Sequence, residues 1–230
     1  MGISLLQQIK KKAGRLIEPQ LLKIGRVLDV RIWEPGTMIE IDLHLPLADV
    51  EQWNEVPYIK FRVDDLCFRD YTPFGWDAET STCSILIDAA HDGPGCIWAR
   101  QLSTGDHIQY LKIDSTHQSP HPTDCVVGLG DASSLGHLLA LQQLTLPASR
   151  FEGAVLLDSV QTGQLFDDYF NLPVSTLTNY DDLASWLVKK DYHSTRTWFY
   201  LTGNHELVTG LRRLLKNLGY PNMRVKGFWH

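Results

Sequence analysis

The sequence predicts an antiparallel β-barrel followed by a small α/β unit with a parallel sheet, and three observations support this fold class. In the first half, short segments of alternating apolar and polar residues are separated by turn residues, as in antiparallel strands. In the second half, nearly continuous apolar segments alternate with helical patterns, which is typical of a parallel sheet covered on both faces. A stretch rich in Ser, Pro and His at 115–124 separates the halves. The sequence therefore predicts one domain over 1–118 and a second over 119–230.

The first half is predicted to contain six strands. Pro35-Gly36 lies between the first two and indicates a hairpin. The predicted strands cover 26–34, 38–46, 56–64, 65–74, 82–90 and 107–113. A short helix is predicted over 96–102, and an amphipathic helix over the N-terminal residues 1–15. Strands this short, joined by hairpin-like turns, favour a small antiparallel barrel.

The second half alternates strands with helices. The predicted strands cover 125–131, 151–159, 195–203 and 223–229, and the predicted helices 132–144, 180–190 and 205–219. Ligands usually bind at the carboxyl ends of such strands and in the crevice between domains. We therefore expect the site at that edge, facing the barrel.

The composition limits the possible functions of the chain. Its 230 residues carry a net charge of −6, which argues against a nucleic-acid binder, since such proteins are usually basic. No apolar run approaches the ~20 residues of a membrane helix, and the N-terminus lacks the order of a signal peptide. Four cysteines, spaced unlike any zinc or iron–sulfur site, are expected to be reduced thiols. We expect a cytoplasmic protein and take a monomer as the default.

Three glycine-containing turns are candidate phosphate sites, because glycine lets the backbone approach an anion and a following helix offers unpaired N–H groups. They lie at 91–95 (HDGPG), 128–136 (GLGDASSLG) and 200–206 (YLTGNHE). Ser133 stands where the dinucleotide-binding fingerprint has its third glycine. Each turn has a structural alternative, as an ordinary turn or as a helix cap.

Arg69 and Tyr71 are two residues apart on a predicted strand, so their side chains are expected on the same face. An arginine there can pair with a phosphate, and a tyrosine offers a flat ring with a hydroxyl. The alternative is an exposed arginine beside a half-buried tyrosine on the barrel surface.

In order, the chain has RDYTP at 69–73, HDGPG at 91–95, WA at 98–99 and a Gly-Asp turn at 105–106. VVGLGDASSL at 126–135, YLTGN at 200–204 and the ending RVKGFWH at 224–230 follow. Over about residues 20–230, this series resembles the siderophore-interacting proteins. These are flavin-dependent ferric-siderophore reductases that are related in fold to the ferredoxin–NADP reductases.

The resemblance implies a set of cofactor-binding residues. The strand residues would hold FAD, with Arg69 near the pyrophosphate and Tyr71 near the isoalloxazine or ribityl group. The turn at 91–95 would line the FAD phosphates or adenosine, the two later turns would bind NAD(P)H, and Trp229 would close the site near the flavin. The full set is Arg69, Tyr71, Thr72, Pro73, His91, Gly93, Pro94, Gly95, Gly130, Asp131, Ser133, Gly203, Asn204 and Trp229.

The activity implied is the transfer of electrons from NAD(P)H through FAD to a ferric siderophore, with release of ferrous iron and without a general acid–base residue or a resident metal. Lys60 matches a family lysine at the substrate mouth, and Arg62 and Lys112 are further candidates for binding an anionic siderophore. The open alternatives are another acceptor, such as free flavin, a quinone or a partner redox protein, and a non-catalytic binding module. The choice between NADH and NADPH also stays open.

Overall fold

The computed structural model describes residues 21–229 and, at the C-terminal end, side chains as far as Phe228. The helix predicted over 1–15 lies outside the described residues. The described chain forms a seven-stranded antiparallel sheet followed by a five-stranded parallel sheet, which confirms the predicted fold class.

The first sheet has the strand order β4-β3-β7-β1-β2-β6-β5. Its strands are β1 (Lys23–Trp33), β2 (Met38–His44), β3 (Pro57–Asp64), β4 (Cys67–Tyr71), β5 (Pro73–Asp77), β6 (Thr82–Asp88) and β7 (His107–Ser115). A short 3-10 helix (Val50–Gln52) precedes β3, and helix α1 (Pro94–Gln101) lies between β6 and β7. Gly36, with a φ of 99°, turns the chain in the predicted β1–β2 hairpin.

The chain connection, rather than a hydrogen-bonded ladder, brings the two edges of this sheet together. Strands β4 and β5 occupy opposite edges, yet only Thr72 separates them in sequence. The sheet must therefore curl until its edges meet, which makes it barrel-like. The single strand predicted over 65–74 is wrong for this reason. Pro73, which has no N–H to donate, begins the edge strand β5.

The second sheet is parallel and has the order β10-β9-β8-β11-β12. Its strands are β8 (Cys125–Asp131), β9 (Arg150–Leu156), β10 (Val174–Leu177), β11 (Thr197–Asn204) and β12 (Met223–Trp229). The helices are α2 (Leu135–Leu144), α3 (Val160–Phe170), α4 (Tyr180–Lys190) and α5 (His205–Asn217), and a 3-10 turn (Ala132–Ser134) precedes α2. Because the chain starts at the central strand β8 and winds both ways, the topological switch point lies between β8 and β11.

Helix α3 and strand β10 were not predicted from the sequence. Gly163 lies inside α3, where a glycine weakens the helical pattern. The packing explains its presence, since a Cβ there would lie 2.8 Å from the Thr176 hydroxyl oxygen.

One apolar core is continuous across the two sheets. It includes Trp33, Phe74 and Leu86 of the first sheet together with Leu135 and Leu138 of α2. A second core fills the barrel-like sheet, and a third lies on the face of the parallel sheet that α4 and α5 cover. The shared core holds α2 against β5 and β6 and so positions the cleft described next.

The segment predicted as a linker, 115–124, is partly packed. Strand β7 extends to Ser115, and Thr116 and Gln118 are buried. The Thr116 amide donates to the Val56 carbonyl at 2.9 Å, and the Val56 amide donates to the Gln118 carbonyl at 2.8 Å. This segment therefore carries residues into the cleft instead of merely spanning the two sheets.

Candidate functional site

A cleft of about 820 Å³ lies between the barrel-like sheet and the parallel sheet. One wall comes from β3, β4 and the start of α1, and the opposite wall comes from α2 and the end of β12. Its volume falls within the usual range of small-molecule sites. The sequence-predicted residues that line it are Lys60, Arg69, Tyr71, Thr72, His91, Gly93, Pro94, Gly95 and Ser133.

Strand β4 and helix α1 converge in this cleft. A Cβ at Gly95 would lie 2.0 Å from the Tyr71 hydroxyl oxygen and 3.3 Å from Cγ of Arg69. Only glycine therefore lets the helix start so close to these two side chains. Gly93, the N-cap residue, has no side chain to accept from the first helical N–H groups, and Pro94 follows it. Pro94 has no N–H and the Cys96 amide donates to the Gly93 carbonyl oxygen at 3.0 Å, so the Gly95 amide is the first-turn donor that the helix start offers to an anion beside Arg69.

The Arg69 guanidinium has no carboxylate within 4 Å among residues 21–229. Its Nη1 donates to the Phe68 carbonyl oxygen at 2.8 Å. The remaining donors of this planar group can contact a ligand, and a guanidinium suits two oxygens of a phosphate.

Tyr71 has an aromatic environment within the barrel wall. Its ring stacks on Trp98 with a centroid distance of 6.2 Å and an interplanar angle of 9°. The Phe61 ring is 6.1 Å away. Burial raises the pKa of Tyr71, with a smaller contribution from Cys96. The phenol therefore stays protonated at neutral pH and can donate a hydrogen bond.

His91 and Cys96 form a contact that the sequence analysis did not anticipate. The Cys96 Sγ lies 2.8 Å from Nδ1 of His91 and also donates to the Asp88 carbonyl oxygen at 3.3 Å. Burial raises the pKa of the Cys96 thiol, and Asp88 adds to the effect. Cys96 is therefore a protonated thiol that tethers the turn at 91–95.

Asp131 organises the carboxyl edge of the parallel sheet at its switch point. Its carboxylate accepts from the Ser133 backbone amide at 3.1 Å and the Ser133 hydroxyl at 2.6 Å. It also accepts from the Asn204 backbone amide at 2.7 Å. Gly203 has a φ of +116°, and a Cβ there would lie 2.5 Å from the Asp131 carboxylate. Gly130 also packs closely, since its Cβ would meet the Ser134 side chain at 2.6 Å. The two predicted nucleotide turns thus form one hydrogen-bonded loop pair.

Some predicted residues lie outside the cleft lining. Pro73 is buried at the start of β5, and Gly130, Asp131, Gly203 and Asn204 lie at the sheet edge behind Ser133. Trp229 ends β12, where its backbone pairs with Asn204, and its side chain lies outside the described part of the chain.

The predicted basic residues all carry polar partners. Lys60 lines the cleft and lies 2.6 Å from an Asp70 carboxylate oxygen. Its register neighbour Lys112 lies 2.6 Å from an Asp114 oxygen, outside the cleft lining. Arg62 donates to Gln109 at 3.1 Å, also outside the lining. Lys60 is thus the only one of the three that the structure brings to the cleft.

The cleft lining also contains residues that the sequence analysis did not single out, among them Lys226, Phe228 and His137. The first two belong to the closing motif and the third lies inside an apolar helix pattern. Nothing local marks the three as neighbours, because the packing of α2 and β12 around the cleft brings them together.

Solved structures with this fold include two siderophore-related proteins and a ferredoxin reductase. A siderophore utilization protein from T. fusca is 19% identical, with a TM-score of 0.70 over 91% of this chain and 92% of that one. A siderophore-interacting protein from Aeromonas hydrophila is 16% identical, with a TM-score of 0.71 over 90% and 91%. A ferredoxin NADP+ reductase from Neisseria gonorrhoeae, solved with bound FAD and NADP, is 14% identical, with a TM-score of 0.71 over 90% and 98%. At these identities the similarity establishes the fold alone.

Comparison of the sequence with models of known families, and with curated proteins, finds no match. Within residues 21–229, no helix is both long enough and apolar enough to cross a bilayer. The same residues contain no cluster of three His, Cys, Asp or Glu side chains suited to a metal ion.

Proposed function

We propose that this chain is a flavin-dependent oxidoreductase that takes electrons from NAD(P)H and passes them to a ferric siderophore. The observation that carries the proposal is the convergence of Arg69, Tyr71 and the glycine-bordered start of α1 in one cleft between two sheets. The similarity in fold to solved reductases also supports the proposal. We also propose that 1–118 and 119–230 act as the flavin and nucleotide domains.

The residues of the first wall fit a flavin dinucleotide. Arg69 and the Gly95 amide at the start of α1 would bind the two phosphates, because both present donors to the same part of the cleft. Tyr71, held against Trp98, would orient the flat ring system and donate its hydroxyl to the ligand. When bound, the flavin would supply the ability to accept two electrons as hydride and to release them singly.

The loop pair at the parallel-sheet edge would bind NAD(P)H. Asp131 fixes the loops that carry Ser133 and Asn204, and Ser133 reaches the cleft lining. A nucleotide bound there would lie at the switch point and face the first wall. The role of Asp131 is then to position this loop pair, since backbone and hydroxyl donors already occupy its carboxylate oxygens.

The substrate would enter past Lys60. Ferric siderophores bind iron through hard oxygen ligands, which hold Fe(II) more weakly than Fe(III), so one-electron reduction favours release. Each NAD(P)H oxidised would reduce two ferric ions. Lys60 and Lys226 would attract the anionic complex, and Lys226 has no carboxylate within 4 Å among the described residues.

A second candidate is electron delivery to an uncharged acceptor, such as a quinone. The cleft lining contains Asp70, Asp88 and Asp114 beside its cations, and Lys60 already pairs with Asp70. A mouth with this charge balance exerts little net attraction on an anion, which favours a neutral acceptor.

An anaerobic experiment tests the proposal. The protein is loaded with FAD, reduced with NADH or NADPH, and mixed with a ferric hydroxamate or catecholate siderophore while the flavin absorbance is followed. Rapid recovery of the oxidised band, with ferrous iron trapped by a chelator, is the expected result. If only a quinone restores the band, the second candidate replaces the first.

Lys60→Ala and Lys112→Ala form a matched pair for the substrate mouth. The two lysines are register neighbours and each pairs with an aspartate, but only Lys60 lines the cleft. We expect slower siderophore reduction in Lys60→Ala alone, with unchanged FAD binding in both. Equal rates in both variants and the wild type would remove Lys60 from the site.

A further inference from the structure

His137 combines complete burial with an unpaired ring nitrogen in the wall of the cleft. It is the third residue of α2, has 0% exposure and is one of the residues that line the cleft. Its Nε2 lies 2.6 Å from Oε1 of Gln118. Its Nδ1 has no hydrogen-bond partner among residues 21–229. A buried nitrogen of this kind needs an explanation, because nearly all buried polar atoms are paired.

The contact with Gln118 determines which nitrogen carries the proton. Gln118 is 4% exposed, and its backbone is fixed because its carbonyl accepts from the Val56 amide at 2.8 Å. When Oε1 of Gln118 accepts, Nε2 of His137 must be the donor, and Nδ1 is left with a lone pair. Burial lowers the pKa of His137 to about 3, and Lys226 contributes to this lowering. The imidazole is therefore neutral at physiological pH, and Nδ1 is an acceptor.

This acceptor is suited to one kind of ligand group. A phosphate or carboxylate offers lone pairs and would be repelled by the lone pair on Nδ1, so the anionic parts of a ligand belong at Arg69 and α1 instead. An N–H group of an amide or imide would pair with Nδ1. The Phe228 ring, with its centroid 5.7 Å from that of His137, makes this part of the wall aromatic and suited to a flat ring.

We propose that Nδ1 of His137 accepts a hydrogen bond from an amide-type N–H on the flat heterocycle bound in the cleft. This inference rests on the proposed function and deepens it. Two parts of the proposed ligands carry such a group, the imide of the flavin ring and the carboxamide of nicotinamide. His137 would thus select the orientation of one of these rings.

Two substitutions separate this hydrogen bond from the packing of the side chain. His137→Gln puts an amide near the position of Nε2, which keeps the contact with Gln118 and removes the acceptor at Nδ1. His137→Asn puts its amide oxygen near the position of Nδ1 and restores an acceptor there. The unfolding midpoint of each apoprotein shows whether the variant folds.

The probes are FAD, FAD methylated at the imide nitrogen, oxidised NAD(P)+ and its 3-acetylpyridine analogue, in which a methyl replaces the amide nitrogen. Dissociation constants come from flavin fluorescence and, for the nucleotides, from the absorbance change of the bound flavin. We expect His137→Gln to bind either FAD or NAD(P)+ about tenfold more weakly than wild type. His137→Asn should recover most of that loss, and the penalty should vanish for the analogue that lacks the N–H.

The affected ligand identifies the ring that His137 contacts. Unchanged binding of both natural ligands by folded His137→Gln would overturn the inference and leave the proposed function intact. An equal loss for a ligand and its analogue would also overturn it, because it would indicate packing alone. If the wild type binds neither FAD nor NAD(P)+, the proposed function fails and the inference falls with it.

Discussion

Substitution of Gly95 by alanine tests how closely strand β4 and helix α1 approach each other. The new Cβ would lie 2.0 Å from the Tyr71 hydroxyl oxygen, whereas ordinary van der Waals contact begins near 3.4 Å. Tyr71 or the start of α1 must therefore move by about 1.4 Å, the difference between these two distances. Overpacking of this kind destabilises a protein by about 1–3 kcal/mol.

The same displacement should impair ligand binding more than folding. A shift of about 1 Å in a positioning group can cost on the order of a hundredfold in rate. Tyr71, or the backbone amide of residue 95, would leave its position in the proposed flavin site. We expect Gly95→Ala to bind FAD at least about tenfold more weakly than wild type, measured by quenching of flavin fluorescence on titration.

Gly93→Ala is the matched control in the same turn. Its Cβ would lie 3.5 Å from Cε1 of His91, an ordinary contact, and its φ of −71° suits any residue. We expect a free energy of unfolding within about 0.5 kcal/mol of wild type, and a smaller loss of FAD affinity than in Gly95→Ala, because no side chain has to move. Wild-type FAD affinity in Gly95→Ala, or equal losses in the two variants, would refute the reasoning.

Substitutions at three other positions test separate parts of the site. Arg69→Ala should weaken FAD binding by about ten- to a hundredfold. Arg69→Lys should recover only part of that affinity, because a lysine lacks the planar pair of donors. Equal affinity of the wild type and both variants in fluorescence titrations would contradict a phosphate contact. Asp131→Ala should lower the free energy of unfolding by about 1–3 kcal/mol, since the Ser133 and Asn204 amides lose their acceptor, and urea denaturation that matches the wild type would contradict this. Burial raises the pKa of Asp88, so the native state binds its proton more tightly than the unfolded chain does. The free energy of unfolding therefore rises as the pH falls through the native pKa. Asp88→Asn should therefore be more stable than wild type at pH 7, with a difference that shrinks as the pH falls, and an unfolding midpoint independent of this substitution across pH 4–8 would exclude the effect.

Local patterns in the sequence predicted most elements of the fold. Alternation in β3, and the apolar runs of β8 and β11, reflect which faces are buried, and this information is present in each segment alone. The division of 65–74 into two strands was not predictable in this way. It depends on the meeting of the two sheet edges at Thr72, which is a property of the whole sheet.

The sequence also predicted only those parts of the candidate site that have a local signal. The turn at 91–95 and the pair Arg69 and Tyr71 stood out because glycines and same-face side chains are visible in the sequence. His137 and Lys226 are 89 positions apart in the chain and have no local signal. Their proximity depends on the packing of α2 and β12 around the cleft.

The most direct test of the central proposal is a binding measurement on the purified apoprotein. The proposal requires that the cleft hold one flavin dinucleotide per chain, with its phosphates at Arg69 and α1. Titration with FAD, and in parallel with riboflavin, should give a stoichiometry of one FAD and an affinity for riboflavin that is weaker by at least about tenfold, since riboflavin has no phosphates. A folded protein that binds no FAD, or that binds riboflavin as tightly as FAD, would contradict the proposed site.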